Sequence, residues 1–186
     1  MAAPPFDPTH AVRFDLPSGS VRTRGDDDRV VLLPTAALDE LVRAAPVHAV
    51  EAFGRAVGAA IGRRAAARLG DVQAASVEGF VAQLSGEAAV AGIGSLHVER
   101  WGRALVVVVD GSPLAGSLLV PLVAAALEAA SGRPTRGALV SHDGADARIF
   151  VGSDASVGRV REWIASGARW SEALTRLHEG RDGGAA

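Results

Sequence analysis

The stretch from Leu96 to Ser153 decides the fold, and its central part reads 104-ALVVVVDGSPLAGSLLVPLVAAALEAASGRP-134. The uninterrupted apolar run over residues 104–109 is typical of a strand that is buried on both faces. Residues 96–101 alternate between apolar and polar side chains, and Gly102 supplies a tight turn between the two segments. The sequence therefore predicts a β-hairpin at the centre of the fold.

A helix and a second hairpin follow this first pair of strands. Residues 118–130 are apolar and alanine-rich, and Gly132 and Pro134 follow in the order that commonly ends a helix. Residues 137–141 and 147–151 predict two further strands, because the Asp-Gly step between them favours a tight reverse turn. We expect a ββαββ unit whose helix lies flat on the sheet.

Helices are also predicted on both sides of this unit, from apolar residues at helical spacing. The set comprises a strand at 29–33, a helix opening at Pro34-Thr35, and helices over 47–69, 76–91, 154–167 and 171–178. We predict an α/β (α+β) fold of two layers, in which helices pack on one face of a mainly antiparallel sheet of four to five strands, with N-terminal helices and a C-terminal helical extension. Residues 1–28, with four prolines, are expected to form a flexible arm, residues 29–178 a single domain and residues 179–186 a disordered tail.

Three glycines within the predicted helix 47–69 are spaced four residues apart: Gly54, Gly58 and Gly62. Each glycine costs about 1 kcal/mol relative to alanine inside a helix, so a close helix contact must offset the cost. We favour packing against another helix of the same chain, and the alternative is an interface with a second copy. Trp163 and Trp170 are further interface candidates, since aromatic residues often anchor interfaces.

Composition narrows the function classes. The 186 residues contain nineteen arginines, no lysine and 21 acidic residues, which gives a net charge of −2. This balance argues against nucleic-acid binding, which usually needs concentrated positive charge. The absence of cysteine excludes disulfides and thiolate chemistry, and no apolar run reaches the roughly 18 residues of a membrane span. We expect a soluble cytoplasmic protein without membrane insertion.

The densest group of acid–base residues is His142, Asp143 and Asp146 in the second hairpin. We interpret them as a polar hairpin tip, because three ligands in one loop without a partner elsewhere make a weak metal site. His97 and Glu99 share one face of a strand and are interpreted as a solvent face or an interface. These patterns favour neither a metal nor a cofactor.

Nucleophilic and nucleotide chemistry also lack support. Ser112 and Ser153 lie beside turns, but neither stands in a G-x-S-x-G elbow. The Gly92–Gly94 segment precedes a strand, whereas a dinucleotide fingerprint requires a following helix. We therefore predict no catalytic residue.

The segments VVVVDGSPLAG (106–116), LLVPLVAAALEAASGRP (118–134) and G-x3-R-I-F (144–150) resemble the 4-vinyl reductase domain, which is related to subunits of the TRAPP tethering complex. The resemblance covers about a third of the chain. Many members carry two cysteines around the last hairpin, where this chain has Val140 and Arg148, so a metal or thiol role does not carry over. The resemblance implies an α/β fold, frequently dimeric, with a cavity that holds a small hydrophobic molecule.

Two functions follow from these observations. The first is a non-enzymatic module that binds or senses a small hydrophobic ligand and acts as a homodimer or higher oligomer. Its cavity between helices and sheet would be lined by six residues, which could equally form a filled core: Phe53, Val57, Phe80, Leu84, Val107 and Phe150. The second is a structural scaffold with a protein partner, similar to the small accessory subunit of bacterial cellulose synthase operons, which shares a glycine-spaced helix before a second helix and strands.

Overall fold

The computed structural model describes residues 5–24, 27–102 and 104–182, and in this part of the chain it has six α-helices and two antiparallel sheets. The larger sheet has four strands, in the order β4-β5-β7-β6. They are β4 (Ser95–Trp101), β5 (Ala104–Asp110), β6 (Arg136–Asp143) and β7 (Asp146–Gly152). The fold is α+β, and the ββαββ unit lies where the sequence predicted it.

The β5 strand is buried on both faces, as its continuous apolar run requires. Val107 and Val109 belong to one hydrophobic core, and Val106 and Val108 belong to another on the opposite face. The prediction of two layers, with helices on one face only, is therefore wrong. A β-branched run with no polar alternation needs an apolar cover on each face, and helices supply both covers.

The inner face carries the helices that precede β4 and the helix between the hairpins. They are α2 (Val47–Leu69), α3 (Val77–Val90) and α4 (Gly116–Ser131). The α4 helix packs on β6 and β7, α3 packs on β4, and α2 lies across both α3 and α4. Between α2 and α3 is a buried ion-pair cluster: the Glu87 carboxylate accepts from Nε of Arg64 at 2.7 Å and from Nε of Arg68 at 2.6 Å.

The outer face is covered by the C-terminal helices α5 (Asp154–Ala165) and α6 (Trp170–Asp182). Val157, Val160 and Leu174 pack there against Phe150 and the outer side chains of β5. The Ser153 hydroxyl caps α5 by accepting from Ser156 N. The α6 helix extends beyond the predicted end at His178, and the last four residues of the chain lie outside the described residues.

The N-terminal region contains regular structure that the sequence analysis did not predict. Two short strands, β1 (Val12–Asp15) and β2 (Ser20–Thr23), pair with β3 (Arg29–Val30). The expectation of a flexible arm is therefore wrong for residues 12–23, although residues 1–4, 25 and 26 lie outside the description. The reason is local: the Ser18 hydroxyl donates to the Asp15 carboxylate at 2.7 Å, which closes the turn between β1 and β2.

The connection from this small sheet to the domain also departs from expectation. The predicted strand over residues 29–33 is limited to Arg29–Val30, and Val31, Leu32 and Leu33 are exposed. The helix α1 (Thr35–Ala44) follows and has no buried residue of its own, although Leu38 and Val42 pack against the inner core. Phe6 precedes β1 along the chain, and its ring lies over the Arg68 guanidinium of α2, 4.8 Å from ring centroid to Cζ.

Candidate ligand cavity

A cavity of about 610 Å³ lies where the ends of several inner-face elements meet. We call it the α3–α4 cavity, after the two helices that border it. It is lined by Val72, Gln73, Ala75, Val77, Phe80, Leu105, Leu127, Ser131, Arg133, Pro134, Thr135, Val151 and Gly152. These come from the α2–α3 connection, the start of α3, the end of α4 with its following loop, and the facing ends of β5 and β7.

The floor and walls of the cavity are apolar. Leu105 and Val151 are paired neighbours on β5 and β7, so their side chains lie together on the inner face of the sheet. Phe80 comes from the first turns of α3 and Leu127 from the last turns of α4. The cavity exists because α3 and α4 cover different strands of the sheet, and the ends of both helices border the gap.

Four lining residues have polar side chains, and two of these side chains are already hydrogen-bonded to backbone carbonyls. The Ser131 hydroxyl donates to Leu127 O at 2.7 Å, and the Thr135 hydroxyl donates to Arg133 O at 2.9 Å. The Gln73 amide and the Arg133 guanidinium have no hydrogen-bond or ion-pair partner among residues 5–24, 27–102 and 104–182. The cavity therefore offers an apolar interior with one amide and one cation for a ligand.

The structure brings only one of the six predicted cavity residues, Phe80, into this cavity. Leu84 and Val107 are each 2% exposed and belong to the filled inner core, and Val57 packs against that core. Phe53 is 42% exposed on α2. Phe150 is 2% exposed but lies in the outer core, because it pairs with Val106 and shares its face of the sheet.

The residues missed by the sequence analysis are those of the two connections. Val72, Gln73 and Ala75 follow the helix end at Gly70, and Arg133 and Thr135 follow the helix end at Gly132. The available signal was the position of Phe80 and Leu127 at helix ends, next to loops rather than in mid-helix. Mid-helix apolar residues more often fill a core, and terminal ones can border a gap.

The three glycines of α2 pack within the chain, against α4. A β carbon on Gly54 would lie 2.9 Å from Leu118 O, and one on Gly58 would overlap Leu122 O. A β carbon on Gly62 would similarly overlap Ala126 O. Because α2 lies directly on backbone carbonyls of α4, the three glycines Gly54, Gly58 and Gly62 are buried within the chain. The alternative that they form an interface with a second copy is therefore wrong.

Both tryptophans proposed as interface anchors pack on the outer core. Trp163 and Trp170 are half-buried against it, and the Trp170 ring meets Trp101 edge-to-face at 4.8 Å between centroids. The Arg148 guanidinium lies 5.8 Å from the Trp170 ring centroid and also donates to Glu99 at 3.4 Å. The two tryptophans thus anchor α5 and α6 to the sheet.

Acid–base residues form one small hydrogen-bonded group on the exposed part of the outer face. His97 Nδ1 lies 2.8 Å from the Asp110 carboxylate, and the Trp101 indole donates to Glu99 at 3.0 Å. The pKa of Glu99 lies below its ordinary value of 4.5, chiefly because of that indole hydrogen bond, and Arg148 adds to the effect.

The residues of the hairpin tip have structural contacts. Gly111 N donates to Asp146 at 3.0 Å, and His142 and Asp143 occupy the last residues of β6. Ser112 is buried and accepts from Leu114 N. Within the part of the chain that the structure describes, no three His, Asp or Glu side chains lie close enough together to hold a metal ion.

Two further cavities border α1. One, of about 530 Å³, includes Arg43, Glu51 and Arg161 in its lining, and the other, of about 450 Å³, includes Asp39, Arg43 and His142. Both therefore combine acidic and basic side chains. The α3–α4 cavity differs from them because its lining contains no acidic residue.

Comparison with known proteins adds information on the fold. No protein-family model matches the sequence, and no curated protein sequence matches it significantly. The structure is similar to the crystal structure of the phenol-responsive sensory domain of the transcription activator PoxR with phenol, with a TM-score of 0.55 and 17% sequence identity. The match covers 90% of this chain and 91% of that chain, so the two share an overall fold. None of the described helices is both long and apolar enough to cross a membrane.

Proposed function

We propose that this chain is a ligand-binding or sensing module that holds a small hydrophobic molecule in the α3–α4 cavity. The observation that carries the proposal is the cavity itself: about 610 Å³, with Phe80, Leu105, Leu127 and Val151 among its walls. Ligand pockets in proteins typically measure roughly 300–1,000 Å³ and combine apolar walls with a few polar groups. The α3–α4 cavity has this size and this composition.

The comparison supports the proposal. The similar structure is that of a phenol-responsive sensory domain, solved with phenol, and the similarity extends over nearly all of both chains. We further propose that the chain is a cysteine-free relative of the 4-vinyl reductase domains. The ββαββ arrangement at residues 95–152 supports this assignment, because the resembling motifs lie within it.

We also propose that the module acts as a homodimer. Apolar side chains are exposed throughout the N-terminal region, and Leu32, for example, is 70% exposed. Other exposed members of this set are Phe14, Leu16, Val31, Leu33, Leu41 and Val47. Exposed apolar side chains favour association, because burying them removes apolar surface from water.

The binding proposal is tested with N-phenyl-1-naphthylamine, an uncharged probe whose fluorescence rises in apolar sites. Ala75 lines the cavity from a connection rather than from the core, so Ala75→Trp should fill the site without disturbing the packed helices. Ala74→Trp, at the neighbouring exposed position, is the matched control. We expect saturable binding of one probe per chain to the wild type and the control, and at least tenfold weaker binding to Ala75→Trp.

Equal binding to all three proteins, or no saturable binding to any of them, would refute this assignment of the cavity.

Light scattering after gel filtration tests the dimer separately. We expect twice the chain mass for the wild type and for Ala165→Asp, an exposed control on α5, and a single-chain mass for Leu32→Asp. A monomeric wild type at 100 µM would contradict the homodimer. An oligomer that binds no probe would instead favour the scaffold function.

A further inference from the structure

The lining of the α3–α4 cavity contains one charged side chain, and that side chain is basic. Of its thirteen residues only Arg133 carries a charge, and no aspartate or glutamate is present to balance it. The other two cavities include both acidic and basic side chains, so their charges can compensate locally. The α3–α4 cavity is thus the one among these three whose lining carries a charge with no opposite charge beside it.

The main chain of Arg133 is fixed on both sides by residues that line the same cavity. Arg133 N donates to the Ser131 hydroxyl at 3.3 Å, and Arg133 O accepts from the Thr135 hydroxyl at 2.9 Å. Gly132 precedes it in the left-handed conformation, with φ of 70°, which turns the chain sharply at the end of α4. The Arg133 side chain therefore extends from a fixed backbone position beside an apolar cavity.

The nearest arginine along the chain has a different environment. Arg136 pairs with Asp154 at 2.9 Å and with Glu128 at 3.6 Å. These two carboxylates are the acidic groups at the end of α4 and the start of α5, and both are engaged with Arg136. Arg133 forms no ion pair with any residue in the described part of the chain, and it remains exposed.

We infer that the ligand of the α3–α4 cavity is a small apolar carboxylic acid, with its hydrocarbon part against Phe80, Leu105, Leu127 and Val151 and its carboxylate against Arg133. The inference rests on the proposed function, since it names the class of ligand for the same site. An arginine fork matches the two oxygens of a carboxylate, and the Gln73 amide is a further hydrogen-bond donor in the same lining.

The test compares an acid with the alcohol of the same carbon skeleton. 4-Phenylbutyrate and 4-phenyl-1-butanol compete against N-phenyl-1-naphthylamine at pH 7 and low salt, with the full chain as wild type, Arg133→Gln and Arg176→Gln. Arg176 is an exposed arginine on α6, across the sheet from the cavity, and is the matched control. In the wild type and the control, we expect the acid to bind about twofold to fivefold more tightly than the alcohol, as fits an exposed charge pair.

In Arg133→Gln the preference for the acid should disappear while the affinity of the alcohol stays unchanged. In the wild type, added salt should weaken the binding of the acid but not that of the alcohol, because ions screen the exposed charge pair. If the alcohol binds the wild type as tightly as the acid, or if the preference survives in Arg133→Gln, the inference is wrong and the proposed function stands. If neither competitor nor probe binds any protein, both are wrong.

Discussion

The contact between α2 and α4 gives the sharpest stability prediction. Gly58 packs directly on the backbone of Leu122, and a β carbon there would overlap the carbonyl oxygen of that residue and lie 2.9 Å from its Cα. Backbone atoms of a buried helix cannot rotate away as a flexible side chain can. Gly58→Ala must therefore separate the two helices along a well-packed interface.

The magnitude follows from two opposing effects. Adding a methyl group to a tightly packed site costs about 1–3 kcal/mol, and more when backbone has to move. Alanine recovers about 1 kcal/mol through its better helix propensity. Because the clash is with backbone, we expect a net loss of about 2 kcal/mol in the free energy of unfolding, which corresponds to a melting temperature lower by about 4–8 °C.

Gly158 in α5 is the matched control, because it is also a helical glycine and no atom lies within 4 Å of a β carbon built on it. Gly158→Ala keeps the propensity gain without the clash, so it should stabilise the protein by about 0.5–1 kcal/mol. Thermal and urea denaturation, followed by circular dichroism, measure both variants. If Gly58→Ala is as stable as Gly158→Ala, the close packing of α2 on α4 is refuted.

Two further predictions concern charged groups. Glu87→Ala should lower the free energy of unfolding by about 3–5 kcal/mol, because it leaves two arginines of α2 without their buried carboxylate. Urea denaturation measures this loss. The control is Glu162→Ala at an exposed position, which should change the free energy of unfolding by less than about 0.5 kcal/mol. The pKa of Glu99 is lowered in the fold, so its carboxylate stabilises the protein at pH values above the ordinary pKa of 4.5. This contribution is lost as the pH falls through the folded-state pKa. Glu99→Gln should therefore destabilise the protein at pH 7, and the loss should shrink as the pH falls through the folded-state pKa of Glu99. An NMR titration should also show that Trp101→Phe raises this pKa; an unchanged pKa would contradict the role of the indole.

Local patterns predicted most of the secondary structure because their causes are local. The helix over residues 47–69 has the bounds that its apolar spacing indicated, and the turn residues Gly102 and Gly132 both adopt positive φ. The strands β1 and β2 of the small N-terminal sheet were missed for a related reason. Each has four residues, of which at least two are polar, so their composition resembles that of a flexible segment. They are ordered by turn and pairing contacts that hydropathy does not record.

The cavity could be predicted less well, because its geometry depends on contacts between distant parts of the chain. Val107 and Phe150 were placed in one cavity, yet the register pairs Phe150 with Val106 and so puts it on the opposite face. A shift of one residue in register exchanges the two faces of a strand, and nothing within either strand reports that register. Arg133 was not named as a site residue, because its exposure to the cavity depends on how the α2–α3 connection packs beside it.

Backbone NMR of the isotope-labelled chain, titrated with 4-phenylbutyrate, shows whether a small apolar ligand occupies the α3–α4 cavity. We expect saturable chemical-shift changes concentrated at residues 72–80, 131–135, Leu105 and Val151, with little change around α1. Changes centred instead on α1 and the two cavities beside it, or no saturable change anywhere, would contradict occupation of the α3–α4 cavity.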